Sequence, residues 1–294
     1  MQNIAIIPNA LRDVGLVETK RVIELFLAKG RTVIMEKRFE TESFSGVEFS
    51  AFEDMLKKAD VAVVLGGDGT ILEVASQTAK YNLPVMGINL GNLGFLAQAE
   101  KGEYHIIDIL LEGRYTVLEC MMLNCSIIKD GRETMSFTAL NDIVVSGDGY
   151  SKMIKVSAWV NGTCIGLYSA DGLITASAVG STAYSLSAGG AIMYPELDAM
   201  ILTPVCPHTL TARSTVIKGD DVIEIATESH YRSDVIVMAD GRRKYVLSGD
   251  ERVRITKAEN KMRLINADGR NFFDVLREKL SDRTEVFAKE ESYD

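Results

Sequence analysis

The residues best suited to chemistry stand in the stretch Val61 to Thr70, VAVVLGGDGT. Asp68 sits among Gly66, Gly67 and Gly69, and Thr70 leads into Ile71, Leu72, Glu73, Val74 and Ala75, which have helical spacing. Val61 to Leu65 is a short apolar run rich in β-branched side chains, the signature of a buried parallel strand. Strand, glycine turn and helix start in that order make a phosphate loop. Glycines let the backbone approach an anion closely, and the free amides of a helix start favour negative charge. Asp68 does not suit a plain anion cradle, because its carboxylate repels phosphate. It fits either a proton acceptor for an attacking hydroxyl or a ligand to a metal that bridges phosphates. A tight turn with Asp68 as a polar turn residue and Thr70 as N-cap is the simpler explanation. The run of two glycines, Asp, glycine and Thr favours the phosphate site. It is neither GxxxxGK[ST] nor GxGxxG.

The flanking pattern predicts what positions this loop. Ile4 to Ile7 reads as a strand, Val14 to Lys29 as a helix and Thr32 to Met35 as a strand. Glu36 to Ser50 reads as a loop and Phe52 to Lys58 as a short helix. The helix after the glycines runs to about Lys80, and Val85 to Ile88 follows Pro84 as another strand. Alternation of this kind implies a doubly wound, mostly parallel α/β sheet with its ligands at the strand C-terminal ends. The last strand empties into NLGNLGFLA, whose Phe95 and Leu96 either pack between domains or meet a nucleotide. Glu103 to Glu112 reads as a helix.

From Tyr115 the texture changes to short alternating strands: Leu118–Ile128, Ile143–Ser146, Ile154–Val160, Thr163–Tyr168, Leu173–Ala176, Val222–Ala226, Val235–Met238, Lys244–Leu247 and Val253–Lys257. Asn161-Gly162 is a strong hairpin signal, and Lys129-Asp130-Gly131 marks another turn. This half is predicted to be an all-β sandwich, interrupted by one helix beginning near Ser181-Thr182. A helix over Asn271 to Leu280 has an apolar side that is expected to return to the first domain. The domains are therefore placed at 1–113, joined by 271–294, and at 114–270.

Within the second half, Asn141-Asp142 and Asp171-Gly172 are turns by default. The segment GSTAYSLSAGG, 180–190, offers amides and hydroxyls for an anion or ribose at a helix start, or small residues for close packing. His208 is best explained as a satisfied core histidine.

The chain has 294 residues, 47% hydrophobic and 25% charged, which is ordinary for a soluble two-domain protein. Its net charge of −9 and its lack of a Lys/Arg cluster argue against nucleic acid as a partner. No signal peptide or membrane span is evident, and Cys120, Cys125, Cys164 and Cys206 have no CxxC spacing. A cytoplasmic protein with reduced thiols and no residue-built metal site is expected.

GGDGT, NLGNLGFLA, LNDIVV, DGLI, GSTAYSLSAGG and TPVCPHTLTAR occur in this order, and together they resemble the NAD kinase family. The resemblance spans about Val61 to Arg213 in motifs. GGDGT is shared with phosphofructokinase-like and lipid kinases; GSTAYSLSAGG with NLGNLGFLA is far more specific. The resemblance implies transfer of the terminal phosphoryl group of ATP, or of inorganic polyphosphate, to the 2′-hydroxyl of the adenosine ribose of NAD. Mg²⁺ or another divalent cation is implied, as is a homodimer or homotetramer. Asp68 would activate the hydroxyl, and Gly66, Gly67, Gly69 and Thr70 would form the phosphate loop. Phe95 would border the NAD pocket, and Asn141 and Asp142 would grip the adenosine moiety. Asp171 would contact the dinucleotide, and Thr182, Ala183, Tyr184 and Ser187 would line the adenine and ribose site. Two departures stand out: Ser177-Ala178-Val179 replaces the family's usual Thr-Pro-Thr, and Asp142 replaces the commoner Glu. A sensor that binds dinucleotide without turnover, and a kinase acting on another hydroxyl, are the alternatives.

Overall fold

The computed structural model describes residues 1–91, 94–97, 99–148, 153–209, 211–227, 235–267 and 269–280. The chain divides into two compact units: Met1–Leu118 together with the segment from Arg263, and Glu119–Met262. The second crossing falls before 270, where the sequence places it. The reason is the strand Met262–Asn266, which joins the first unit's sheet beside Val85.

The first unit contains β1 (Asn3–Pro8), α1 (Val17–Ala28), β2 (Thr32–Glu36), β3 (Val47–Ser50), α2 (Phe52–Lys58), β4 (Val61–Gly66), α3 (Asp68–Lys80), β5 (Val85–Asn89), β6 (Ala99–Glu100), α4 (His105–Leu111) and β7 (Thr116–Cys120). Its sheet runs β3-β2-β1-β4-β5, then Met262–Asn266, then β7, with β6 beside β5. β1 pairs in parallel with both β2 and β4. The chain winds outward from β1 through β2 to β3, then returns to lay β4 on the other side of β1. The order reverses there, so the crevice beyond the C-terminal ends of β1 and β4 is a natural ligand site. Ile4, Ile6, Val33, Val61, Val63 and Leu65 are fully buried in the core of this unit, each contributing about 1.5–3 kcal/mol.

Three local expectations change. The stretch 36–50 is not all loop, because β3 pairs in parallel with β2 from Val33–Val47 to Glu36–Ser50. Its half-exposed edge position leaves no clear alternation to read. The helix expected from Val14 begins as a 3-10 turn, and the left-handed backbone of Gly15 and Leu16 breaks it before α1. Leu118–Ile128 is not one strand: β7 belongs to the first sheet and Leu123–Lys129 to another.

The second unit is a sandwich of two six-stranded sheets. Its elements are β8 (Leu123–Lys129), β9 (Arg132–Ala139), β10 (Asp142–Gly147), β11 (Ile154–Val160), β12 (Thr163–Ala170), β13 (Gly172–Ser177), α5 (Tyr184–Ser187), β14 (Ala199–Val205), β15 (Thr215–Lys218), β16 (Ile223–Thr227), β17 (Val235–Ala239), β18 (Arg242–Leu247) and β19 (Arg252–Lys257). One sheet is ordered β15-β14-β13-β10-β17-β18 and the other β12-β11-β16-β19-β8-β9. Ile143, Val145, Leu173, Leu202 and Val237 of the first meet Cys125, Ile127, Val156, Ile225 and Val253 of the second. Val144, Ile174 and Ile201 point to the opposite face, where Ala178 and Met193 cover them. The first sheet is thus buried on both sides at its centre.

Asp130-Gly131, Asn161-Gly162 and Asp240-Gly241 each place two left-handed residues between paired strands, which suits a two-residue hairpin turn. β14 escapes sequence reading because of Pro204. That proline lies beyond Leu202, where pairing with β15 ends, so its missing N–H costs no bond on that side. A helix over 272–280 buries Val275 and holds the Lys279 ammonium 5.7 Å from the Phe95 ring centroid. It therefore lies on the first unit, as its apolar side implies. The tail from 281 and His230 lie outside the described residues.

Candidate active site

In the first unit, β4 delivers Gly66 and Gly67, and α3 starts at Asp68 with Gly67 as its N-cap. Thr70 is therefore inside the first turn, not the cap. None of these glycines has a left-handed backbone, so the loop needs them for space. A Cβ on Gly66 would fall 2.3 Å from Thr70 Oγ1, and one on Gly67 would fall 3.0 Å from Arg12 Nη1. A Cβ on Gly69 would meet nothing within 4 Å, and that residue is the open edge of the loop. Thr70 is buried and its hydroxyl accepts a hydrogen bond from Asn9 Nδ2 at 2.9 Å.

Asp68 is half-buried and holds the segment after β5. Its Oδ2 accepts from the Phe95 amide at 2.8 Å, and its Oδ1 accepts from the Leu96 and Ala97 amides, both at 3.1 Å. The approach is so close that a Cβ on Gly94 would lie 1.9 Å from Asp68 Oδ1. A carboxylate has about four acceptor sites. Two amides occupy Oδ1, so Oδ2 is the oxygen with capacity for a proton. Phe95 is half-buried next to this carboxylate.

In the second unit, Asn141 and Asp142 open β10, and Asp240 fixes them from the β17–β18 turn. Asp240 Oδ1 accepts from the Asn141 amide at 2.7 Å and the Asp142 amide at 3.2 Å, and Oδ2 accepts from the Leu140 amide at 2.9 Å. Asp142 is buried, and its carboxyl is pushed up to about 7, first by desolvation and then by the charge of Asp240. Burial raises Asp240 too, against the three amides. Asp171 stands at the corner where the chain leaves β12 for β13; its amide donates to Val205 O at 2.9 Å. Tyr184 is exposed, and its hydroxyl is held protonated by partial burial and then by Cys206, Asp171 and Asp142. Asp142, Asp171 and Tyr184 therefore share one electrostatic neighbourhood.

The helix expected from Ser181 does not form as a unit. Val179–Thr182 is a 3-10 turn, and α5 has only four residues. Ser181 is fully buried, donating to Ala178 O at 2.6 Å and accepting from Met193 N at 2.9 Å. Thr182 Oγ1 donates to Val179 O at 3.0 Å. These hydroxyls are spent on the turn, and so short a helix supplies no terminal anion site. Thr182 and Ala183 are half-buried, whereas Tyr184 and Ser187 are exposed. Ser177 keeps the polar link that the departure from Thr-Pro-Thr put in question. Its hydroxyl donates to Leu140 O at 2.5 Å and accepts from Gly180 N at 3.1 Å. A Cβ on Gly180 would fall 1.9 Å from Asn141 O, so this turn and the Asn141-Asp142 pair are fitted together. His208 is exposed and not a core residue.

Sequence reading missed Arg12, Asn9, Gly94 and Asp240. The Asp-Gly pair between two strands was the available signal for Asp240. Gly94 stands inside NLGNLGFLA without its role being marked, and Arg12 and Asn9 act across the fold with no local pattern to flag them.

Residues 4–115 match the family described as ATP-NAD kinase N-terminal domain, and residues 140–267 match the ATP-NAD kinase C-terminal domain. The chain belongs to the NAD kinase family. It is 38% identical over 284 residues to the NAD kinase of Thermoanaerobacter sp. strain X514, across 96% of this chain and all of that one. It is 44% identical over 228 residues to the NAD kinase of Heliobacterium modesticaldum, across 77% of this chain and 80% of that one. An NAD kinase from Archaeoglobus fulgidus, solved in complex with ATP, superposes with a TM-score of 0.71 at 27% identity, over 94% of this chain and 99% of that one. A yeast NADH kinase complexed with NADH shares the fold, with a TM-score of 0.83 at 24% identity over 94% of this chain and 86% of that one. As an NAD kinase family member with both domains present, the chain is a phosphotransferase that converts NAD to NADP.

Proposed function

We propose that the first unit carries out the transfer at Asp68 and that the second unit recognises the dinucleotide. The observation that carries this reading is the hydrogen-bonding of Asp68: three amides fix the carboxylate, yet Oδ2 keeps an acceptor site. In this reading the ribose 2′-hydroxyl of NAD gives its proton to Asp68 Oδ2 as its oxygen bonds to the terminal phosphorus of ATP. The bond from that phosphorus to the bridging oxygen breaks, and ADP leaves. Phosphoryl transfer needs positioning and charge neutralisation more than covalent catalysis, which suits a fixed carboxylate beside a glycine loop.

Gly66, Gly67, Gly69 and Thr70 would hold the donor phosphates, and Phe95 would border the acceptor. Asn141, Asp142, Asp171, Thr182, Ala183, Tyr184 and Ser187 would bind NAD. With its carboxyl pushed up to about 7 by burial, Asp142 would donate to the ligand below that pH. Among the described residues no group of three or more His, Cys, Asp or Glu is placed to hold a metal. The divalent cation would arrive with the donor's phosphates as part of the substrate complex. Inorganic polyphosphate presents the same terminal phosphoryl group and would enter the same loop.

A homo-oligomer, dimer or tetramer, belongs to the same reading. The edge strand β12 supports it, with Leu167 57% and Ile165 37% exposed. A cytoplasmic setting is proposed from the free cysteines, Cys120 and Cys125 buried and Cys164 and Cys206 exposed. No helix of the described residues is long and apolar enough to cross a membrane. The assay is NADP formation by purified protein with NAD, Mg²⁺ and ATP or polyphosphate. Turnover supports the reading; measurable NAD binding with no NADP would leave a dinucleotide sensor in its place.

A further inference from the structure

Arg12 is an exposed cation on an anchored turn, at the point where the strand order of the first sheet reverses. It follows β1, whose neighbour β4 ends in the glycine loop. Its backbone is tied down on several sides. The Arg12 amide donates to Asn9 O at 3.1 Å and to Asn9 Oδ1 at 3.2 Å, and the Leu11 amide also reaches Asn9 Oδ1 at 3.1 Å. The same Asn9 side chain donates to Thr70, so one residue couples the Arg12 turn to the GGDGT turn. On the other side Asp13 is buried, accepting from the Glu18 amide at 3.1 Å, the Thr19 amide at 2.8 Å and the Thr19 hydroxyl at 2.6 Å.

The guanidinium lies across two glycine-bearing turns at once. A Cβ on Gly67 would come within 3.0 Å of Arg12 Nη1, and a Cβ on Gly91 within 2.9 Å. Asn89 braces the second turn, donating to Gly91 O and accepting from Gly91 N, each at 3.2 Å. Both turns must lack side chains for Arg12 to rest there. No carboxylate among the described residues pairs with it, although the chain carries a net charge of −9. An exposed arginine on a backbone-anchored turn, resting against two glycines beside the phosphate-type loop, has the fork of donors that phosphate oxygens match.

We propose that Arg12 binds the donor's phosphates, making it a catalytic residue for phosphoryl transfer. This assignment rests on the kinase reading above. Arg12 neutralises charge on the donor's phosphate oxygens beside Gly67 and Gly91.

The test compares the parent with Arg12→Gln and Arg12→Lys in steady-state assays, with tripolyphosphate as a competitive probe of the donor site. Arg12→Gln is expected to raise KM for Mg-ATP and to weaken tripolyphosphate inhibition by about tenfold or more, the scale of a charge-assisted contact. KM for NAD is expected to stay within about twofold, and Arg12→Lys to recover much of the loss, as a retained point charge should. Unchanged donor KM and tripolyphosphate inhibition in a variant that melts like the parent would overturn the proposal. So would a rise confined to KM for NAD. If the parent makes no NADP, the kinase reading has failed separately. Calorimetric binding of tripolyphosphate to parent and Arg12→Gln then still decides whether Arg12 holds an anion.

Discussion

Asp68 and Asp240 do the same local job in different units. Each carboxylate accepts hydrogen bonds from three successive backbone amides, Phe95 to Ala97 in one case and Leu140 to Asp142 in the other. Each thereby fixes a segment that the candidate site uses. Their surroundings set them apart. Asp68 is half-buried at the start of α3, beside an open glycine loop. Asp240 sits in a hairpin turn behind a buried strand, and desolvation pushes its carboxyl up. In the reading proposed above, the first carboxylate serves both scaffold and chemistry and the second the scaffold alone. Both carboxylates are half-buried, so what separates them is what lies beside them: the glycine loop at Asp68 and the buried start of β10 at Asp240.

Substitutions should separate the two roles. The largest effect is expected at Asp68. Asp68→Asn can keep the Leu96 and Ala97 contacts through its one oxygen, but it turns an amino group toward the Phe95 amide and cannot take a proton, so kcat should fall at least about 100-fold. Gly94→Ala attacks the same carboxylate by crowding, since the new Cβ would lie 1.9 Å from Oδ1. Thermal melting should show a loss of about 1–3 kcal/mol, and kcat should drop with it.

Asp142 gives the second unit a pH signature. Its folded pKa of about 7 lies above the unfolded 3.8, so the native state binds the extra proton between those values. Stability from this group is present at low pH and is lost as pH rises through about 7. Ligand-free protein should therefore lose about 2 kcal/mol between roughly pH 5.5 and 8, and Asp142→Asn should abolish that loss. Denaturant melts of both proteins across that range check it. The smallest effect is expected at Asp240→Asn, which keeps one oxygen but turns an amino group toward the Leu140 amide. One unsatisfied buried amide costs about 1–2 kcal/mol, and KM for NAD should rise while kcat at saturating NAD changes little.

Much of this was legible in the chain itself. The run VAVVLGG, all buried, announces its strand by composition, and Gly67 with Asp68 announces the turn and helix that follow. Asn161-Gly162 and Asp130-Gly131 likewise mark hairpins through residues that tolerate left-handed backbone. What stayed hidden depends on distance. β3 and β14 are strands because a neighbour pairs with them, not because their own patterns alternate. Arg12 and Asn9 reach Gly67 and Thr70 across more than fifty residues of chain. The segment 180–190 is legible only in part, since its hydroxyls all look like ligand donors but Ser181 and Ser185 are buried and bonded to their own surroundings.

The central claim is that one clamp takes part in the chemical step and the other does not. The most direct measurement is kcat for NADP formation by Asp68→Asn and Asp240→Asn beside the parent, at saturating NAD and Mg-ATP with NAD binding measured in parallel. The expected result is a fall of at least about 100-fold for Asp68→Asn with NAD affinity kept, and a kcat within about threefold of the parent for Asp240→Asn. An Asp68→Asn enzyme turning over within about tenfold of the parent would contradict the account, because the proton would then have another acceptor.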